Sequence, residues 1–331
     1  MKIINSIILY CFLLFIAVTS VYAMTQSSWL DNDTANYNSS VWIILIILTR
    51  LLIYLTLAIS ISGLAALLAL TPKRSRKIPY INHLPMGCLL GLIAASVNFF
   101  LQVGAFAGVG ISGLWDPEYI GIIWDSWMGK SYRFQLIGWG GVLLMMIIIG
   151  SKLTYYRLVV GLGMIGIIII TASFTFTPHL AETPLWIRFA LMMHIIAAMW
   201  WIGSLYPLRC ACEALRASQL QPLMIEYCKQ AMFIGTLLII SGIAVFYILI
   251  GSFSDLLGTN HGNLLLFKLG TAAVVLFITA RHKLHYVPNL KNRKSAQALK
   301  QSITKEMWIG FLILIMTAIM STVTASGIAL K

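Results

Sequence analysis

The sequence predicts an all-α polytopic membrane protein: eight transmembrane helices behind an N-terminal signal peptide. Three observations predict it. Hydrophobic residues make up 60% of the 331 and charged residues only 10%, where a soluble domain carries about 25% charged. The apolar residues are gathered into runs near the ~20 residues a helix needs to cross a bilayer. These runs also lack the alternation of barrel strands, and backbone groups in lipid must then be satisfied within helices.

Taken in order, the first 23 residues read as a secretory signal. Lys2 is a short basic region, Ile3 to Val18 an apolar stretch, and Val21, Tyr22 and Ala23 a small-residue cleavage site. The mature chain would start at Met24; without cleavage the segment would be one more helix, entering from the cytoplasm. Residues 24–40, "MTQSSWLDNDTANYNSS", form a short periplasmic segment too polar to fold alone. The membrane domain occupies 41–331, with apolar runs at about 41–70, 86–108, 132–150, 156–177, 186–208, 231–251, 263–281 and 306–327.

Charge sets the orientation. The links after the first, third, fifth and seventh runs carry most of the 23 basic residues, among them Lys73, Arg74, Arg76, Lys77, Arg209, Arg216, Lys291 and Arg293. The positive-inside rule puts these links in the cytoplasm. Asp31, Asp33, Asp116, Glu118, Asp125, Glu182 and Asp255 fall on the other side, so both mature termini face outward. The net charge of +13 is spread over short loops beside membrane ends, where topology and anionic lipid account for it and nucleic acid does not. Cys11 leaves with the signal, and Cys88, Cys210, Cys212 and Cys228 lie at cytoplasmic helix ends, so no disulfide framework is expected.

The residues that point to chemistry are concentrated on the outward side. His194 lies eight residues into the fifth run, about 12 Å from its outer end at 1.5 Å per residue. His179 follows the fourth run and His261 opens the seventh. Intramembrane ionisable groups are costly and mark functional sites by default; the competing reading of His194 is a buried imidazole bonded to a neighbouring hydroxyl. Asn98 and Gln102, four apart on the second run, join Thr171, Ser173, Thr175 and Thr177 on the fourth and Ser321, Thr322, Thr324 and Ser326 on the eighth. With Glu182 and Trp201 they outline an outward-facing polar vestibule, although serine and threonine serve equally as glue between helices. Arg50, Arg133, Arg188 and Lys268 fall in the same outer region; they suit an anion as well as a metal, and each is long enough to snorkel to the surface.

Imidazole and thioether ligands suit copper, and imidazole alone also suits zinc, nickel or haem iron. On the cytoplasmic side, "RCACEALR" sets Cys210 and Cys212 two apart, a pattern able to hold a soft ion such as Cu(I). His282 and His285 in "RHKLHYVP" share a helix face and read as an interfacial basic patch. No phosphate loop and no dinucleotide fingerprint is present, and nothing in the sequence points to an enzyme.

Three segments, "HIIAAMWWIGSLYPL" (194–208), "HGNLLLFKLG" (261–270) and "ARHKLHYVPNL" followed by "SITKEMWIG", resemble the copper resistance protein D family of bacterial inner-membrane proteins over roughly 170–327. Ser204 stands where the family usually has glycine, and His261 where it has tyrosine. The resemblance implies passage of copper from periplasm to cytoplasm, with a separate periplasmic CopC-like protein as partner. It carries over His194 and Lys268, and matches His179 to a histidine that commonly follows the fourth helix. Two other readings stay open: a b-type haem electron carrier, which needs paired imidazoles at one depth, and a non-transporting membrane anchor or sensor for a copper-binding partner.

Overall fold

The computed structural model describes residues 33–69, 84–151, 156–177, 180, 183–249 and 260–325. The signal segment 1–23, His179 and Glu182 lie outside the described residues, as do the side chains of His261 and Lys268. Among the described residues every long element is helical and none is a strand. In chain order the α-helices are α1 Asp33–Ala69, α2 Leu84–Ala107, α3 Pro117–Asp125, α4 Trp127–Ser151, α5 Tyr156–Ser173, α6 Leu185–Ala214, α7 Ala217–Leu249, α8 Asn260–Arg281 and α9 Arg293–Ala325.

Among the described residues the apolar runs lie largely on helices, but several helices start well before their run. α7 begins at Ala217 and α9 at Arg293, ahead of the apolar runs at 231 and 306. The added turns of α9, "RKSAQALKQSITK", are rich in Lys, Ala, Gln and Leu, good helix formers that continue the backbone ladder into water. Among the described residues five segments are long and apolar enough to cross a membrane: Val41–Ala65, Pro85–Ala107, Leu185–Ala214, Ala217–Tyr247 and Arg293–Thr322. Val160–Ser173 of α5 is a shorter apolar helix. α4 and α8 are unbroken over 25 and 22 residues, long enough at 1.5 Å per residue for a core of about 30 Å.

Between α2 and α4 the structure adds elements that hydropathy does not reveal. A 3₁₀ turn at Gly110–Trp115 leads into α3. Asp116 caps α3 by accepting from the Glu118 amide at 2.9 Å, and Pro117 occupies its first turn, where a missing N–H costs nothing. Phe99 stacks on Tyr132 at 4.4 Å and meets Trp124 edge-on. Trp115, Trp124 and Trp127 are left exposed, the amphipathic rings expected at a membrane interface.

α1 and α6 form the axis of the bundle. α1 packs against α2, α5, α6 and α9, and α6 packs in turn against α7 and α9. Small residues let the backbones close up. A Cβ on Gly203 of α6 would run into the Ala58 carbonyl of α1, and a Cβ on Gly138 of α4 would come within 2.8 Å of the Gly166 carbonyl of α5. The core between them holds Ile53, Leu57, Ile61, Trp139, Ile167, Trp201 and Leu205. α7 is the opposite case: Phe233, Ile240, Ile243 and Tyr247 are exposed, as suits a helix that faces lipid.

Candidate functional site

α6 carries several of the candidate site residues. Its N-terminal half holds His194 and its middle holds Trp201, seven residues and therefore about 10 Å further along nearly the same face. Pro207 sits inside the helix and cannot donate to the carbonyl one turn back, at Gly203, so the ladder is interrupted where α6 lies against α1.

His194 is half-buried between α6 and α7. Its Nδ1 is 3.3 Å from the Leu238 carbonyl and 3.4 Å from the Ser241 hydroxyl. Ser241 already donates to the Leu237 carbonyl at 2.6 Å, so its oxygen serves the imidazole as an acceptor. Nδ1–H directed at these oxygens puts the lone pair on Nε2, the arrangement of a metal-ligating histidine. Gly242 makes the space: a Cβ there would stand 3.2 Å from His194 Cε1. The hydroxyl-bonded imidazole and the ligand are therefore compatible states of one side chain.

The polar groups assigned to the vestibule are largely engaged within the protein. Asn98 donates to Thr49 at 2.7 Å and its carbonyl oxygen accepts from Gln102 at 2.5 Å. Thr171, Ser173 and Thr175 donate back to carbonyls of their own chain segment, at Ile167, Ile170 and Ala172. Arg50 does not snorkel; it donates to the Ser321 carbonyl, and Tyr54 donates to the Ser321 hydroxyl at 3.0 Å, tying α1 to α9. Arg133 lies over the Trp124 ring at 5.1 Å, and Arg188 donates to the Leu180 carbonyl at 2.9 Å.

His261 and Lys268 lie on α8, which packs against α9. Cys210 and Cys212 share one unbroken helix, and residues two apart point about 200° from each other. Cys212 is buried in the core, while Cys210 is half-buried and meets Tyr206. Among the described residues no three His, Cys, Asp or Glu side chains gather as a metal-binding group.

The best-organised polar cluster is one that sequence reading missed. Glu306, 1% exposed, stands in α9. Its Oε1 accepts from Trp201 Nε1 at 2.9 Å and from Thr279 Oγ1 at 2.7 Å. His282, 6% exposed, brings Nδ1 to 3.1 Å from Oε2 and sets Nε2 2.7 Å from the Ser302 hydroxyl. The π-helical turn His282–Tyr286, closed by the Val287 amide on the His282 carbonyl at 3.0 Å, separates the two histidines expected on one face. His282 turns into the bundle while His285 stays exposed; π-turns often mark functional positions. The available signal was Glu306 itself, an acid at the head of an apolar run on the basic side of the protein.

Residues 221–320 match the family model described as CopD, copper resistance protein D. Comparisons with curated proteins and with solved structures return no significant match.

Proposed function

We propose, for a chain whose residues 221–320 match the copper resistance protein D family model, that it takes copper from the periplasm and passes it across the inner membrane to the cytoplasm. His194 is the central ligand of this reading. The observation that carries it is the seating of that imidazole between α6 and α7, with Nδ1 near the Leu238 carbonyl and room opened by Gly242, which favours Nε2 as the metal-binding nitrogen.

In this reading His179 and His261 receive copper at the outer lip, and Asn98, Gln102, Glu182 and Lys268 line the approach. The ion then moves past Trp201 toward Cys210 and Cys212, where a thiol at the inner end accepts it. A separate periplasmic CopC-like protein would deliver the ion, and both mature termini would lie on that side. A haem-bearing alternative draws less support, because His282 is spent on Glu306 and lies about two turns of α6 from the depth of His194.

The test is metal content and flux. Purified full-length protein, grown with copper and iron both available, is expected to hold copper near one per chain and little iron. His194→Ala is expected to lose that copper, and proteoliposomes to take up copper only with the wild-type chain. Iron at one or two per chain without copper would replace the reading with a haem carrier. Copper binding without flux would replace it with an anchor.

A further inference from the structure

We infer that Glu306 and His282 form a proton-binding site at the inner end of the bundle, which exchanges a proton as copper passes; the second clause rests on the permease reading above. The geometry is that of a removable proton. Both donors to Glu306, Trp201 and Thr279, converge on Oε1, which leaves Oε2 to face the imidazole. Oε2 is buried and accepts no well-aligned hydrogen bond, yet it lies 3.1 Å from His282 Nδ1. A proton can sit between these two atoms or on either of them.

The far nitrogen is served in every state. His282 Nε2 meets the Ser302 hydroxyl at 2.7 Å, and a hydroxyl can donate to a bare nitrogen or accept from N–H. Gaining or losing a proton therefore leaves His282 Nε2 with a partner. A pair kept only for rigidity would have no need of that latitude. Buried carboxylate and imidazole groups in chains of this kind are the material of proton relays in membrane proteins.

A chain of ring contacts links the pair to an exposed histidine. Tyr286 meets His282 edge-on with ring centres 5.9 Å apart and meets His285 at 5.6 Å, and His285 is exposed. Among the described residues, the titratable and charged groups on the neighbouring elements include the following. Tyr227 of α7 is within electrostatic reach of Glu306 and bonds the Ser204 hydroxyl of α6 at 2.9 Å. Arg281 of α8 lies over the Tyr286 ring at 5.6 Å. Glu213 of α6 and Lys300 of α9 are engaged with each other. Lys305 of α9 is exposed, turned about 100° from Glu306 around the helix. The pair is thus the buried site where a proton can be stored next to Trp201, in the path assigned to a cation.

Infrared spectroscopy of the full-length protein, titrated between about pH 5 and about pH 8, tests the site without copper. A carboxylic-acid C=O band that grows on acidification is expected in wild type and absent in Glu306→Gln, which keeps an acceptor for Trp201 and Thr279 and should fold. His282→Gln should retain the band with its midpoint displaced. No titrating band assignable to Glu306 would overturn the proposal, as would copper per chain falling in Glu306→Gln, which would make the pair a metal ligand. In proteoliposomes with a pH dye inside, copper uptake should move protons in wild type, and that proton signal should fall to background in Glu306→Gln. Copper uptake with an unchanged proton signal in Glu306→Gln would overturn the coupling. Should wild type take up no copper, the permease reading and the coupling would fall together, and the infrared titration would still decide the proton site.

Discussion

His194 and His282 are two imidazoles in one bundle, and the protein treats them differently. His194 faces a carbonyl and a hydroxyl at 3.3 and 3.4 Å, the long end of hydrogen bonding, in a space kept open by a glycine. His282 stands 3.1 Å from a carboxylate and 2.7 Å from a hydroxyl, within a set of groups drawn from α6, α8 and α9. Loose neutral partners can be exchanged for a ligand at small cost. A buried carboxylate partner cannot, because separating the two leaves a buried polar group without its partner. The bundle thus holds one histidine loosely among neutral partners and the other closely against a carboxylate.

The sharpest way to break this comparison is to remove each anchor in turn. Glu306→Ala takes the acceptor from His282, Trp201 and Thr279 together, and removing one partner of a buried charged pair costs about 3–5 kcal/mol. His194→Ala loses only long contacts to neutral oxygens and should cost about 1 kcal/mol. Thermal unfolding of the full chain in detergent is expected to separate the two variants clearly, with Glu306→Gln close to wild type. Equal losses for Glu306→Ala and His194→Ala would end the distinction between the two sites.

A smaller effect tests whether α6 holds both histidine sites in register. Gly203 lies two residues beyond Trp201, and a Cβ there meets the Ala58 backbone, which no rotamer change can relieve. Gly203→Ala should cost about 1–3 kcal/mol through overpacking and should loosen the Trp201–Glu306 hydrogen bond as α6 moves off α1. Tryptophan fluorescence, compared with Trp201→Phe, checks it: an unaltered Trp201 signal would mean that α1 and α6 are not what holds the indole in place.

How much of this was legible beforehand follows from the kind of signal each residue gives. The helices were, because burial in lipid demands long apolar runs and these are local. His194 was, because one polar residue inside such a run is conspicuous. The short helix after Asp116 was not, since nine residues with a capping acid and a proline carry too little apolar length to register. Arg50 read as a snorkelling side chain because its acceptor, the Ser321 carbonyl, lies on the last helix, and long-range partners leave no local trace. Glu306 and His282 failed for the same reason. Each sits beside Lys and Arg residues that make it look like part of a solvated basic loop, and only the π-turn at His282–Tyr286 and the packing of α8 on α9 bring the two together.

The finest test of the comparison concerns Ser241. Its hydroxyl touches His194 but already donates along its own helix, so Ser241→Ala should change stability by no more than about 0.5 kcal/mol. Its effect on copper should also be small. Outer partners of a ligating histidine are typically worth about 10–100-fold in metal affinity when they alone hold the ring; here the Leu238 carbonyl remains in place to accept Nδ1–H. Copper titration of the purified variant is therefore expected to show less than about a tenfold loss, against loss of the site in His194→Ala. A loss in Ser241→Ala as deep as in His194→Ala would mean that the hydroxyl oxygen itself meets the ion, and that His194 depends on its partners no less than His282 does.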